Sequence, residues 1–241
     1  MTSIAKQTLR ELGGPSSILA RQKQDHVKLD VLLEELVRSS GVDQQTVLNR
    51  ISRLVFPHAF AEETVLWPAL RRVASSGEQL TLRVEKEHQE INQLATRLEN
   101  LDLADDERPA LLQRMVELLR EDVRDEEDIL LPRLQSRLEH RQLRRLGRQW
   151  ELVRRVAPTR PHPTVARRPP GNVLAALPLT MLDRTRDRLD NGARRVDGSV
   201  ARRLRGASRG LAGAASRMER LTMMRSGERA QTNIADEENT P

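Results

Sequence analysis

Six ionisable residues stand where an apolar helix face would otherwise run: His26, His58, Glu62, His88, Asp122 and Glu126. His58 and Glu62 are four residues apart, as are Asp122 and Glu126. Residues at i and i+4 are neighbours on one helix face, roughly 5–6 Å apart at Cβ, so each pair can present two donors to one centre. The residues in register with them are apolar: Leu29, Leu33 and Leu36 with His26; Ile51, Val55 and Val65 with His58 and Glu62; Val84, Ile91, Ala95 and Leu98 with His88; Leu112, Met115, Leu119 and Ile129 with Asp122 and Glu126. Unpaired ionised groups in such an interior are strongly disfavoured. A pair of divalent or trivalent metal ions resolves the conflict. Imidazole with carboxylate suits iron, manganese or zinc rather than copper(I).

Blander readings exist for each residue. A lone histidine on an apolar face is usually a hydrogen-bonded core residue, and only the repetition of the pattern favours a metal. Glu85-x-x-His88 matches the ferritin-like Glu-x-x-His motif, which needs a second copy on another helix that this chain lacks. Glu63 and Glu127 follow the candidate donors directly, and adjacent helical residues point apart, so they are expected outward or behind the donors. His140 and His162 are expected in solvent, and Trp67 in core packing.

Helices must position these groups. Leu, Glu, Arg and Gln dominate residues 16–155, and the turn signals place helices near 16–39, 43–74, 78–100, 106–138 and 139–155. Asp43 is a candidate cap for the second, and Ser76 with Gln79 fits a capping box for the third. Pro57, Pro68 and Pro132 predict kinks or breaks. Residues 54–70 repeat at 118–134, and 25–36 repeat at 87–98, so two similar helical hairpins make the domain. Neither hairpin buries its apolar face alone. The fold class is therefore all-α: an up-down-up-down four-helix bundle with a short fifth helix. The expected organisation is an N-terminal arm (1–15), the bundle (16–155), a Pro-rich linker (156–172) and an Arg-rich amphipathic tail (173–241), partly disordered or weakly helical.

Composition narrows the function. Across 241 residues there is no Cys and aromatics are 2%. That excludes thiolate metal sites and disulfides, and argues against single-strand nucleic-acid binders that stack bases on aromatic rings. The net charge of +6 is uneven: residues 1–150 hold 23 basic and 25 acidic residues, residues 151–241 hold 18 and 10, and all 18 are Arg. Such a tail could meet nucleic acid or an anionic membrane. No apolar run is long enough for a signal peptide or a bilayer span, so a soluble cytoplasmic protein is expected.

At Asp25-His26, His58-x-x-x-Glu62-Glu63 with Leu66-Trp67-Pro68, Glu87-His88, and Asp122-x-x-x-Glu126-Glu127 with Leu130-Leu131-Pro132, the sequence resembles the hemerythrin-like family with its HHE cation-binding domain. The resemblance covers roughly 16–150 and implies an oxo- or hydroxo-bridged non-haem di-iron centre. Glu62 and Glu126 match the bridging carboxylates, and His26, His58 and His88 match terminal ligands. Asp122 stands where the repeat expects a histidine, and Asn92 where oxygen carriers place another. The implied site is richer in oxygen donors than a carrier's, with manganese or zinc as alternatives to iron. The implied ligand is a small diatomic or peroxide, in peroxide breakdown or another catalase- or peroxidase-like reaction under oxidative stress. The competing readings are a metal, oxygen or redox sensing module, and a tail-mediated nucleic-acid or membrane-surface protein.

Overall fold

The computed structural model describes residues 1–227. The acidic end, IADEENTP, and the last part of the 173–241 stretch lie outside these described residues. The first helix, α1, is Ile18–Arg38. The second runs from Gly41 to Val73 as α2 (Gly41–Ala61), one π-helical turn (Glu62–Leu66) and α3 (Trp67–Val73). The third, α4, is Gly77–Asn100. The fourth runs from Arg108 to Gln135 as α5 (Arg108–Asp125), a second π turn (Glu126–Leu130) and α6 (Leu131–Gln135). The breaks between helices fall at Ser39-Ser40, Ala74–Ser76 and the 101–107 loop, where helix-poor residues collect.

Capping differs in detail from the sequence expectation. Ser76 is the N-cap of α4, but its hydroxyl accepts from Arg133 Nη1 at 2.8 Å rather than from the helix. Asp43 lies in the first turn of α2, behind Ser40. A reciprocal capping box forms instead at Glu139 and Gln142, at the start of α7 (His140–Arg155). This fifth helix packs against α1 and α2, and Gly147 makes the approach possible. A Cβ there would lie 2.2 Å from the Ser16 carbonyl oxygen.

Both π turns sit just ahead of a proline, at Pro68 and Pro132. Proline has no N–H, and its ring crowds the carbonyl four residues back. The residues before them, Trp67 and Leu131, donate five residues back, to the carbonyls of Glu62 and Glu126. The turn widens by one residue without ending the helix. The breaks expected at these prolines thus take the form of π turns.

Two apolar clusters fill the bundle. One holds Leu29, Leu33, Ile51, Ile91, Met115 and their neighbours. The other holds Ile18, Trp67, Leu70, Leu131 and Trp150, together with Ile4 and Leu12 of the N-terminal arm. On each of the four helices the candidate donors lie between these clusters, so a polar layer crosses the middle of the core.

Beyond the bundle, α8 (Gly171–Ala193) and α9 (Gly198–Glu219) pack as a hairpin. The segment joining α7 to α8 has no helix, and it lies on the bundle rather than spanning open solvent. Gln89 Nε2 donates to the Pro163 carbonyl at 2.6 Å, and Arg168 forms a forked pair with buried Glu85 at 2.6 and 2.8 Å. Among the described residues no helix is long and apolar enough to cross a membrane.

Candidate metal centre

All six candidate residues meet in the polar layer, and each is buried. His26 comes from α1 and His58 from α2. Glu62 opens the first π turn and Glu126 the second. His88 comes from α4 and Asp122 from α5. Donor atoms of His26, His58 and Glu126 lie within 4.8 Å of one another, and so do those of Glu62, His88 and Glu126. Glu126 belongs to both sets: its Oε2 is 3.1 Å from His26 Nε2, and its Oε1 is 4.0 Å from His88 Nε2. Glu62 spans the same gap, with Oε1 3.1 Å from His58 Nε2 and Oε2 3.7 Å from His88 Nε2. Asp122 Oδ1 completes the far side, 3.6 Å from His88 Nε2. The layer thus has a nitrogen-rich half at His26 and His58, an oxygen-rich half at His88 and Asp122, and two carboxylates reaching into both.

Every one of the three histidines turns Nε2 toward this layer and Nδ1 toward a further carboxylate. His26 Nδ1 meets Glu127 at 3.0 Å, His88 Nδ1 meets Glu63 at 2.9 Å, and His58 Nδ1 faces Asp25 at 3.5 Å. A carboxylate behind a histidine holds the proton on Nδ1, fixes the ring plane and leaves the Nε2 lone pair for a cation. Glu63 and Glu127 therefore face inward, behind the donors. In a regular α-helix only one of two adjacent glutamates could do so. The π turns bring in both. The signal in the sequence is the proline five residues after the second glutamate in each repeat.

The electrostatics match a site built for positive charge. Burial by itself would push His26 down, but the carboxylates of Glu126, 3.1 Å from Nε2, and Glu127, 3.0 Å from Nδ1, overcome that and raise it to about 9. Burial likewise opposes protonation of His88, and the surrounding carboxylates, led by Asp122, raise it to about 10. His58 is raised too, by Glu62 and Asp25 against the cost of burial. Burial and the nearby Glu126 charge push Glu62 and Asp122 up. Glu126 goes down despite burial, because the His26 ring 3.1 Å away, with His58 and His88 beyond it, favours its charged form.

Several buried donor atoms make no well-formed hydrogen bond among the described residues: both oxygens of Glu62, Oδ1 of Asp122, Oε1 of Glu126 and Nε2 of His26. Buried polar atoms are normally satisfied. These all point into the same layer, so the residues fit one or two metal ions. A cavity of about 20 Å3 opens beside them, lined by His26, His58, His88 and Asp122 and roofed by Leu29, Leu54, Val55, Leu119 and Val123.

The other residues singled out from the sequence fall as follows. Trp67 is fully buried in the core; Trp150, which carried no signal in the sequence, stands edge-on to His58 with ring centroids 5.3 Å apart. Glu85 pairs with Arg168 and Arg71, away from the layer. His140 is exposed. His162, expected in solvent, is 5% exposed and sits between Glu219 at 2.9 Å and Asp183 at 3.0 Å. Asn92, one turn beyond His88, does not enter the layer. Its Oδ1 accepts from the His162 backbone N–H at 2.9 Å.

A helical bundle carrying this buried mixture of imidazoles and shared carboxylates is a cation-binding bundle. The family model described as the hemerythrin HHE cation binding domain matches residues 17–134, so the bundle of this chain is a hemerythrin HHE cation-binding domain. The chain is also similar to an uncharacterized hemerythrin-like protein of Schizosaccharomyces pombe, 21% identical over 169 residues, which cover 69% of this chain and 83% of the relative. No solved structure matches the chain.

Proposed function

We propose that His26, His58, Glu62 and Glu126 hold one iron ion, that His88, Asp122, Glu62 and Glu126 hold a second, and that the pair handles oxygen, peroxide or nitric oxide. Bound iron would supply Lewis acidity and one-electron redox chemistry. The observation that carries the small-ligand reading is the cavity beside the donors. Its volume of about 20 Å3 suits a molecule of two or three heavy atoms and excludes an organic substrate. Outside it, a groove of about 520 Å3 between α1 and α5 shares His26, Leu29, Leu119 and Val123 with the inner cavity. Leu29, Leu119 and Val123 form an apolar wall between the groove and the inner cavity. Asp25, Glu63 and Glu127 keep each Nε2 aimed inward. The test is metal analysis and an optical spectrum of aerobically purified protein. Two iron ions per chain with near-ultraviolet charge-transfer bands that shift with azide are expected, along with oxygen evolution from peroxide. One zinc per chain and no iron uptake would refute the reading.

A second reading concerns partners. The outward face of α8 carries Leu174, Leu177 and Met181, all exposed, followed one turn on by exposed Arg184 and Arg188. Apolar residues continued by arginines suit the surface of an anionic bilayer. Co-sedimentation with phosphatidylglycerol vesicles but not with phosphatidylcholine vesicles is expected. Retention on DNA without vesicle binding would overturn it in favour of nucleic acid.

A further inference from the structure

The turn of α4 that carries His88 is gripped from one side by the segment between α7 and α8. Three residues before His88, Glu85 takes the fork of Arg168. One residue after it, Gln89 donates to the Pro163 carbonyl, and four residues after it, Asn92 accepts from the His162 N–H. Asn92 Nδ2 in turn donates to the His88 carbonyl at 2.9 Å. His162 ties this segment to both tail helices, since Asp183 lies on α8 and Glu219 on α9.

The same segment reaches the carboxylate behind His88. Arg167, 7% exposed, places Nη1 3.8 Å from Glu63 Oε1. That oxygen is the one facing His88 Nδ1. Arg167 is itself fixed, because Nη2 donates to the His162 and Val165 carbonyls at 2.7 and 3.0 Å. The nitrogen-rich half has a comparable arrangement: Asp25, behind His58, is paired with Arg154 of α7 at 3.2 Å. A cation beside a buried backing carboxylate stabilises its charge and holds it in place, which in turn holds the imidazole.

We propose that residues 162–168 are a working part of the metal centre, and that Arg167 is a positioning residue acting through Glu63 on His88. The oxygen-rich half then takes its ion tightly only when the C-terminal helices are docked, so docking regulates occupancy of one position of the pair. This rests on the reading that the polar layer binds two ions.

The test uses the full chain, loaded anaerobically with iron(II), with ions per chain and affinity of each position as readouts. Arg167→Gln should keep the first ion at unchanged affinity and weaken the second by about 10–100-fold, the usual cost of removing support behind a ligand. Arg167→Lys should restore most of it. Arg53→Gln, which removes a tail contact to Asp187 that involves neither Glu63 nor His88, should keep both ions. If Arg167 acts through Glu63, the double variant with Glu63→Gln should lose no more than Glu63→Gln alone. That background also serves if Arg167→Gln does not fold, because no buried Glu63 charge is left without its partner. Two ions bound at wild-type affinity by Arg167→Gln, or equal weakening of both positions, would overturn the proposal alone. A wild-type chain that takes up no ion would overturn the metal reading and this proposal with it.

Discussion

Loading the centre with metal should expel protons, and the structure says how many and at what cost. A metal-bound imidazole must be neutral at its donor nitrogen. In the metal-free protein His26 titrates at about 9 and His88 at about 10, so both are protonated at pH 7. At 1.36 kcal/mol per pH unit, deprotonating them at pH 7 costs about 3 and about 4 kcal/mol. The two sites share Glu126, so these costs do not simply add, but each one alone is worth about two orders of magnitude or more in apparent affinity. The sign follows directly: metal affinity rises with pH up to the folded-state pKa values and levels off above them. These two groups contribute about two decades of apparent association constant per pH unit, and His58 adds to the slope. The assay is calorimetric titration with zinc(II), a redox-silent probe, at pH 7 in two buffers of different ionisation enthalpy. At least two protons released per chain at full loading are expected. Fewer than one proton, with an affinity flat from about pH 6.5 to 8.5, would refute the reasoning and mean that the histidines are neutral before metal arrives.

Other outcomes follow from the same geometry. Glu126→Gln should lose both ions, since Glu126 reaches both halves, whereas Asp122→Ala should lose only the ion beside His88; equal loss from the two would show that the halves are not distinct. Gly147→Ala should destabilise the fold by about 1–3 kcal/mol, the usual range for overpacking, because the added methyl meets the Ser16 carbonyl; an unchanged thermal midpoint would mean that α7 does not press on α1. Carboxylates on both sides of His162, Asp183 foremost, overcome the effect of burial and hold its pKa at about 9. Its contribution to docking is therefore fully present below its ordinary pKa and fades as pH rises through about 9. Trypsin cleavage within α8 and α9, referenced to an unstructured arginine peptide at each pH, should increase between about pH 7 and 10, and the step should vanish in His162→Gln.

The bundle was largely legible because its cues are local and periodic. Helix breaks at Ser39-Ser40 and Ser75-Ser76-Gly77 need only neighbouring residues, and the stripe through Leu29, Leu33 and Leu36 needs only a period. The donors could be suspected for the same reason, as polar interruptions of stripes that recur in two hairpins. What stayed hidden depends on contacts without a period. The inward turn of Glu63 and Glu127 rests on π turns, which a regular helical wheel places wrongly. The burial of His162 rests on Asp183 and Glu219, 21 and 57 residues away in the chain. The Pro-rich composition of 156–172 reads as a free linker, yet cutting the chain there would strip Arg168 from buried Glu85. The outward arginines of α9 resemble those of any solvated helix, so nothing local separates them from Arg167 and Arg168, which are buried.

The distance along the chain between Glu63 and Arg167 also sets an order of events during synthesis. The donors of the nitrogen-rich half, together with Asp25 and Glu127, have all been polymerised by residue 127, and Arg154, which pairs with Asp25, by residue 154. The segment that supports His88 is complete about 14 residues later, which at about 5–20 residues per second is a delay of about 1–3 s. A nascent bundle therefore meets cellular metal first with one half supported. The second half matures only when the C-terminal helices fold back onto α4. Under the proposed reading, an ion arriving early is captured at the His26 and His58 side, and the pair is completed by the last part of the chain to emerge.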